Sequence, residues 1–251
     1  MMDDLLIVGG LVPSLIIDQE RLGDNTDPHV GTMDLDVGLQ VALLREGRYR
    51  LLTERLRDAG FEMDKNDAGN PTRQRWAIAQ VERVTIDFLI QPTLESDRGG
   101  KLRDLEPDFA AIVAPGLRCA FRNRKRVTLE GTTLFGEKAT RDIWVCDAGA
   151  YVVLKALAFD GRGENKDAYD LYYVVRNYGA GPADVASKLK PLLDDADVQR
   201  ALTVLQRDFS EPDAVGPMRV AAFVYGARDE QLQADVVGFI GQLRAKVSSA
   251  S

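Results

Sequence analysis

The sequence predicts an α+β fold: a mixed sheet with flanking helices over residues 1–146, then an all-helical part over residues 147–251. Three observations carry this. Apolar and polar residues alternate over 32–40 and again over 84–90, the period of a half-buried strand. Between them, residues 48–59 show helical spacing and stop at Gly60. From Asp147 onward the strand pattern ceases and capped helical segments follow.

Taken in order, Leu5–Val8 is a short apolar run that stops at Gly9-Gly10. Leu11 to Leu22 reads as a helix, with Pro13 tolerated in its first turn. Residues 23–28 have loop composition. The strand over 32–40 places Met33, Leu35, Val37 and Leu39 on one side and Asp34, Asp36 and Gly38 on the other. In the helix over 48–59, Leu51, Leu52 and Leu56 form the expected apolar stripe. Strands follow at Arg75–Ala79 and Val84–Ile90, the second with Ile86, Phe88 and Ile90 on its core side. Residues 91–108 read as a polar loop with a helical piece, and short strands are expected near Cys119–Arg122, Val127–Leu129 and Ile143–Cys146. Asp147 caps a helix to Phe159, Asn165 opens another to Asn177, and three more fit between Pro182 and Val247.

Composition narrows the function classes. At 45% apolar and 28% charged residues, the chain is of ordinary globular character, with no apolar run long enough to span a membrane. Met1-Met2-Asp3-Asp4 does not read as the start of a signal peptide, and Cys119 and Cys146 lack metal or disulfide spacing, so a cytoplasmic protein with free thiols is expected. A net charge of −7 argues against a general nucleic-acid coat. Two basic clusters remain: Arg118, Arg122, Arg124, Lys125 and Arg126, and Arg45, Arg48, Arg50, Arg55 and Arg57. Each also reads as a solvated face; the first, nearly free of acids, is the better candidate for phosphate.

The chemistry centres on acids. Residues i and i+2 of a strand share a face, so Asp34 and Asp36 point together. Two adjacent carboxylates repel unless a cation or proton lies between them, and hard oxygen ligands suit Mg²⁺ and the phosphates it binds. Asp87 has the same placement on its own strand, so three acids converge if the two strands are neighbours. Alone, the pattern reads equally as exposed acids on a half-solvated strand. Gly9-Gly10 upstream offers backbone N–H groups to a phosphate, and Thr32 opens the Thr-x-Asp-x-Asp segment.

In the second half, Lys155 lies in an apolar helix and Arg162 is seven positions on, along the same stripe. The pair suits a polyanion; Lys155 also reads as a lysine that buries only its stem. Asp167 and Asp170 share a helix face. Asp167, near the helix start, is placed where an acid is favoured anyway. Asp170, amid Tyr169, Leu171, Tyr172 and Tyr173, needs neutralising by Lys166 or Lys155, and in the latter case only positions the lysine. His29, the sole histidine, reads as a loop residue rather than a catalyst, and a zinc site has no support.

Val8-Gly9-Gly10 followed by Gly31-Thr32-Met33-Asp34-Leu35-Asp36-Val37 resembles the signature of the polymerase-beta-type nucleotidyltransferase superfamily. Lys155-Ala156-Leu157-Ala158, Arg162 and Lys166-Asp167-Ala168-Tyr169-Asp170-Leu171-Tyr172 resemble its AbiEii-like branch, associated with toxin–antitoxin and abortive-infection systems. The resemblance implies a nucleotidyltransferase-type sheet, with Asp34 and Asp36 binding Mg²⁺ and Gly9 and Gly10 beneath the triphosphate of an NTP. Lys155 would contact phosphate, and Asp170 would be a functional acid. Asp87 as third metal ligand, and Thr32 and Arg162 beside the nucleotide, complete the expected set. Two departures stand out: only eight residues precede the glycine pair, where a helix is usual, and Gly10 stands where many relatives carry serine. The expected activity is transfer of a nucleotide to an acceptor hydroxyl, with tRNA or another RNA as acceptor and a cognate antitoxin as partner. A small-molecule (aminoglycoside-like) or protein acceptor is the first alternative. The second is a non-catalytic binding partner in a toxin–antitoxin pair, with Asp34 and Asp36 consumed by internal arginines.

Overall fold

In the computed structural model the described residues are 2–22, 28–32, 34–40, 48–79, 83–133 and 136–249. Their architecture is α+β, with a mixed sheet and a helical C-terminal part. The loop expected over 23–28, Met33 and Arg45 lie wholly or largely outside the described residues.

Three central strands position the acids: β1 (Leu5–Val8), β2 (Asp34–Leu39) and β5 (Arg83–Ile90). β1 runs antiparallel to β2, pairing Val8 with Asp36, and β2 runs parallel to β5, pairing Asp36 with Asp87. On its other edge β5 pairs antiparallel with β4 (Pro71–Ala79), setting Asp87 opposite Arg75. Paired residues project from one face, so register alone lines up Val8, Asp36, Asp87 and Arg75 across four strands. The sheet continues through β3 (Glu62–Lys65) beyond β4, and through a hairpin of β8 (Arg124–Thr132) and β9 (Lys138–Cys146) beyond β1. β6 (Leu102–Glu106) and β7 (Phe109–Val113) attach beside the end of β5.

Each face of the sheet has its own core. Val37, Leu39, Phe88 and Ile90 pack under α2 (Arg48–Asp58), whose buried apolar side chains are Tyr49, Leu52 and Leu56. These three follow the i, i+3, i+7 rule; Leu51, expected in that stripe, falls off it and is exposed. Leu6 and Val8 face the helical part. Their core runs without a break into α4 (Ala148–Arg162), α5 (Asn165–Asn177), α6 (Pro182–Leu189), α7 (Ala196–Asp208) and α9 (Glu230–Ser248). The change from sheet to helices at residue 147 is thus a change of structure along one continuous core.

Several expectations are corrected. The helix expected from Leu11 to Leu22 is a single turn, α1 (Val12–Ile16), because Ile17 turns extended at φ −104°, ψ 130°. Cys119–Arg122 is helical, not a strand: α3 (Leu117–Arg122) starts at Gly116, whose φ of 83° suits glycine, and buries Leu117, Cys119 and Ala120. Runs this short carry no period to separate the two. Residues 91–108 hold strand β6 rather than a helical piece, and β3 and β7 were not anticipated. Four helices, not three, fill the tail, with α8 (Val215–Tyr225) between α7 and α9. α4 follows its cap as expected, with the Asp147 side chain accepting from Ala148 N–H at 2.9 Å, but runs past Phe159 to Arg162. α5 has the expected span, yet Asn165 is its first helical residue and the N-cap, Glu164, makes no side-chain capping bond.

α4 and α6 approach so closely at Gly149 that an added Cβ would lie 2.5 Å from the Lys188 backbone. Gly149→Ala should therefore lower stability by about 2 kcal/mol through overpacking that backbone cannot relieve, measured by denaturant unfolding. An unchanged midpoint would mean that the two helices separate freely.

Candidate functional site

Five carboxylates and four cations meet where the sheet face meets α4 and α5. Asp36 is held from below by Gly9. A Cβ on Gly9, whose φ is 73°, would lie 1.8 Å from Asp36 Oδ2, so only glycine leaves room for the acid. Asp34, exposed at the start of β2, accepts a hydrogen bond from the Thr85 hydroxyl one strand over. Asp87, buried beside Asp36, is gripped by Arg75, whose Nε and Nη2 donate to its two oxygens at 2.8 and 2.5 Å.

Asp36 is the uncompensated member. Among the described residues its side chain makes no ion pair, and burial first, then the charge of Asp87, push it up to about 6. Lys155 and Arg162 act on it only at a distance, in the opposite sense.

On the helical side every acid is saturated. Lys155, with 8% of its side chain exposed, donates to Asp167 at 2.9 Å and Asp170 at 2.6 Å. Arg162 clasps Asp167 through Nε at 2.6 Å and Nη2 at 2.8 Å. Lys166 donates to both oxygens of Asp170 at 3.0 and 3.1 Å. Burial opposes charge at Asp170, but the His29 hydrogen bond and then Lys155 and Lys166 outweigh it and hold the carboxyl well below its usual range. Burial likewise works against the Lys155 ammonium, and Asp170 and Asp167 lift it nonetheless.

The expected residues are thus brought together, with changed parts. Asp34, Asp36 and Asp87 do share a face on adjacent strands. Lys155 is enclosed by two acids, so the cations of the helical side that reach solvent are Arg162, with 61% of its side chain exposed, and Lys166, with 34%. Thr32 packs over Gly10: a Cβ there would lie 3.1 Å from Thr32 Cγ2 and 3.2 Å from Lys166 Nζ. The basic cluster favoured for phosphate lies elsewhere. Arg118 and Arg122 pair with Asp195 and Asp194, while Arg124 and Arg126 cover Trp144 at the β8 edge. In the other cluster, Arg50 pairs with Glu54 and Arg57 with Asp108.

His29 was undervalued. It is buried, its Nε2 meets Asp170 Oδ1 at 2.9 Å, and its Nδ1 accepts from Gly31 N–H at 3.0 Å. With Nδ1 accepting, the ring is neutral and Nε2 donates. It ties the segment entering β2 to α5, and its spacing two residues before Gly31 was the available signal.

Among the described residues, no three His, Cys, Asp or Glu side chains stand arranged to hold a metal ion. The donor set explains this: Asp87 is occupied by Arg75, leaving Asp34 and the unpaired, half-buried Asp36. Two carboxylates completed by phosphate oxygens fit Mg²⁺, which takes one or two protein acids. Two clefts of about 430 and 360 Å³ lie away from these acids, beside Lys125 and Tyr178 and beside Phe61 and Trp76.

Two measurements test this electrostatic picture. The unfolded Asp36 carboxyl titrates near its ordinary value of 3.8 and the folded one near 6, so folding takes up a proton between them. Stability from this group is therefore full below the lower value and falls as pH rises through the upper. In metal-free buffer Asp36→Asn should be more stable than the parent above pH ~6, by on the order of 2 kcal/mol, and the two should converge near pH ~4. Parallel stability curves would refute the uncompensated charge. Lys155→Met leaves Asp167 and Asp170 with one fewer cation and should lose about 3 kcal/mol at neutral pH, read by thermal unfolding; a loss under ~1 kcal/mol would mean that Arg162 and Lys166 suffice. No protein-family model matches the chain, and no curated protein matches it either.

Proposed function

We propose that the chain is a Mg²⁺-dependent nucleotidyltransferase, transferring a nucleotide from an NTP to an acceptor hydroxyl. The observation that carries this is Asp36: a half-buried acid without a counter-ion among the described residues, beside Asp34 and Asp87, near two solvent-reaching cations. A structural acid would be paired.

Asp34 and Asp36 would hold the ion, which when bound neutralises triphosphate charge and makes the acceptor hydroxyl a better nucleophile. The chain's own residues supply position and charge. Lys166 and Arg162 meet the phosphates above Gly10, and Gly9 leaves the backbone bare beside Asp36. Asp167 aims the Arg162 fork, and Asp170 holds Lys166 and Lys155 in place. The acceptor oxygen attacks the α-phosphate in line, and pyrophosphate departs past Lys166 and Arg162.

The non-catalytic reading would have internal arginines consume Asp34 and Asp36; among the described residues neither is ion-paired to an arginine. An RNA acceptor such as tRNA and a toxin role with an antitoxin partner follow from the resemblance, a cytoplasmic location from the isolated cysteines and the acidic first residues, and all belong to this proposal. Among the described residues no helix is long and apolar enough to cross a membrane.

Incubation with Mg²⁺, each α-labelled NTP and total RNA should move label to RNA. Asp36→Ala should reduce transfer by at least about a thousandfold, the loss of several kcal/mol of charge stabilisation. Label moving instead to an aminoglycoside or a protein would reassign the acceptor. No transfer together with no triphosphate binding would sink the reading.

A further inference from the structure

Arg75 stands in one transverse row with the acids. Register runs Asp36, Asp87, Arg75 across β2, β5 and β4. One guanidinium engages both oxygens of Asp87, and this is the only ion pair Asp87 makes among the described residues. The grip is not sealed: 38% of the Arg75 side chain is exposed, and its Nη1 donates to nothing among the described residues. Asp87 itself is nearly buried, with 8% of its side chain exposed. The strand spacing of about 4.8 Å puts it within one ion's reach of Asp36.

The pair therefore has an asymmetric design. The acid is fixed beside the metal-binding pair, while the cation lies at the surface, with donors to spare and a fork that matches phosphate as well as it matches carboxylate. The bidentate grip is strong, but a guanidinium at the surface can be exchanged by a competitor that offers it an equally good fork. An arriving phosphate competes for Arg75, and an arriving cation competes for Asp87. Both competitors come together in a metal–triphosphate complex.

Resting on the nucleotidyl-transfer reading, we propose that Arg75 is an exchangeable counter-ion. It pairs with Asp87 until nucleotide phosphates take its fork, and the released Asp87 then turns to the cation held by Asp34 and Asp36. Arg75 acts on the metal through Asp87, as a positioning residue, and on the nucleotide directly. The exchange makes strong metal binding conditional on the nucleotide, which prevents a free divalent ion from filling the site in an unproductive geometry.

The test titrates the full chain with Mn²⁺ alone, followed by electron paramagnetic resonance, and separately with a non-hydrolysable ATP analogue without metal. Arg75→Met should bind Mn²⁺ about tenfold more tightly than the parent, as expected on freeing a ligand from its partner. The same variant should bind the analogue about tenfold more weakly, having lost one bidentate phosphate contact. Asp87→Asn should bind Mn²⁺ alone like the parent, because Arg75 already withholds that acid. If Arg75→Met fails to fold, Arg75→Lys is the second variant. A point cation cannot grip both oxygens, so a smaller gain in Mn²⁺ affinity is expected. Unchanged Mn²⁺ affinity in the Arg75 variants, while Asp36→Asn loses it, would overturn the exchange and leave the metal site standing. Asp87→Asn losing as much as Asp36→Asn would also overturn it, since Asp87 would then bind metal with Arg75 in place. No Mn²⁺ binding by any form, or binding indifferent to Asp36→Asn, would overturn both the exchange and the proposed function.

Discussion

Charge compensation across the junction of sheet and helices is the constraint on which the rest of the structure depends. Asp167 and Asp170 are buried in α5, where an ionised carboxylate without partners would cost several kcal/mol. Their cations come from elsewhere: Lys155 from α4, Arg162 from its last turn, and a hydrogen bond from His29 in the segment before β2. Two consecutive helices and a segment 141 residues before Asp170 must therefore meet at one place. The hydrophobic core shared by Leu6, Val8, α4 and α5 brings them close, but apolar packing alone is tolerant of sliding. The ion cluster is not, because a shift would strand a buried charge.

Asp36 shows what that constraint leaves undone. The helical side supplies enough positive charge for Asp167 and Asp170, and Arg75 supplies enough for Asp87. None of these cations pairs with Asp36 among the described residues, and burial with the charge of Asp87 pushes its carboxyl up to about 6. Asp34, also without a cation among the described residues, is exposed to solvent, so the buried imbalance falls on Asp36, and this supports the proposal that charge arrives there from outside. Lys155 illustrates the converse. Its sequence position suggests a phosphate ligand, yet two carboxylates within 2.9 Å take two of its three donors and only 8% of its side chain is exposed. It serves the site by fixing Asp167 and Asp170, which in turn set the cations that do reach solvent.

Legibility followed the strength of local pattern. Alternation along β2 and β5 placed Asp34, Asp36 and Asp87 on the correct faces, because a one-residue error would have put acids into the Val37–Phe88 core. Helices α4 and α5 were legible from Asp147, Asn165 and their apolar stripes. The strand β3 was not: Glu62-Met63-Asp64-Lys65 carries little apolar signal, and only the turn after it, where Asn66 accepts from Ala68 and Asn70 N–H, marks a hairpin. Long-range partners were the least legible. Nothing local joins Arg75 to Asp87 or His29 to Asp170, since those pairs exist only after register and packing are set. The i, i+4 pair Lys166–Asp170 needs no such information, and it was read directly.

Gly10 shows how a departure from a resembled pattern can be physically consistent. Many members of the superfamily carry serine here, and a hydroxyl at that point could reach a phosphate. In this chain a Cβ at Gly10 would sit 3.2 Å from Lys166 Nζ and 3.1 Å from Thr32 Cγ2, so a serine would crowd the ammonium. The space belongs to the lysine. Lys166 is held there by both oxygens of Asp170, and Asp170 is held by His29. A fixed, partly exposed ammonium attracts a phosphate more strongly than a neutral hydroxyl does. Gly10 and Lys166 therefore make sense only as a pair, one giving up its side chain so that the other can stand over the backbone beside Asp36.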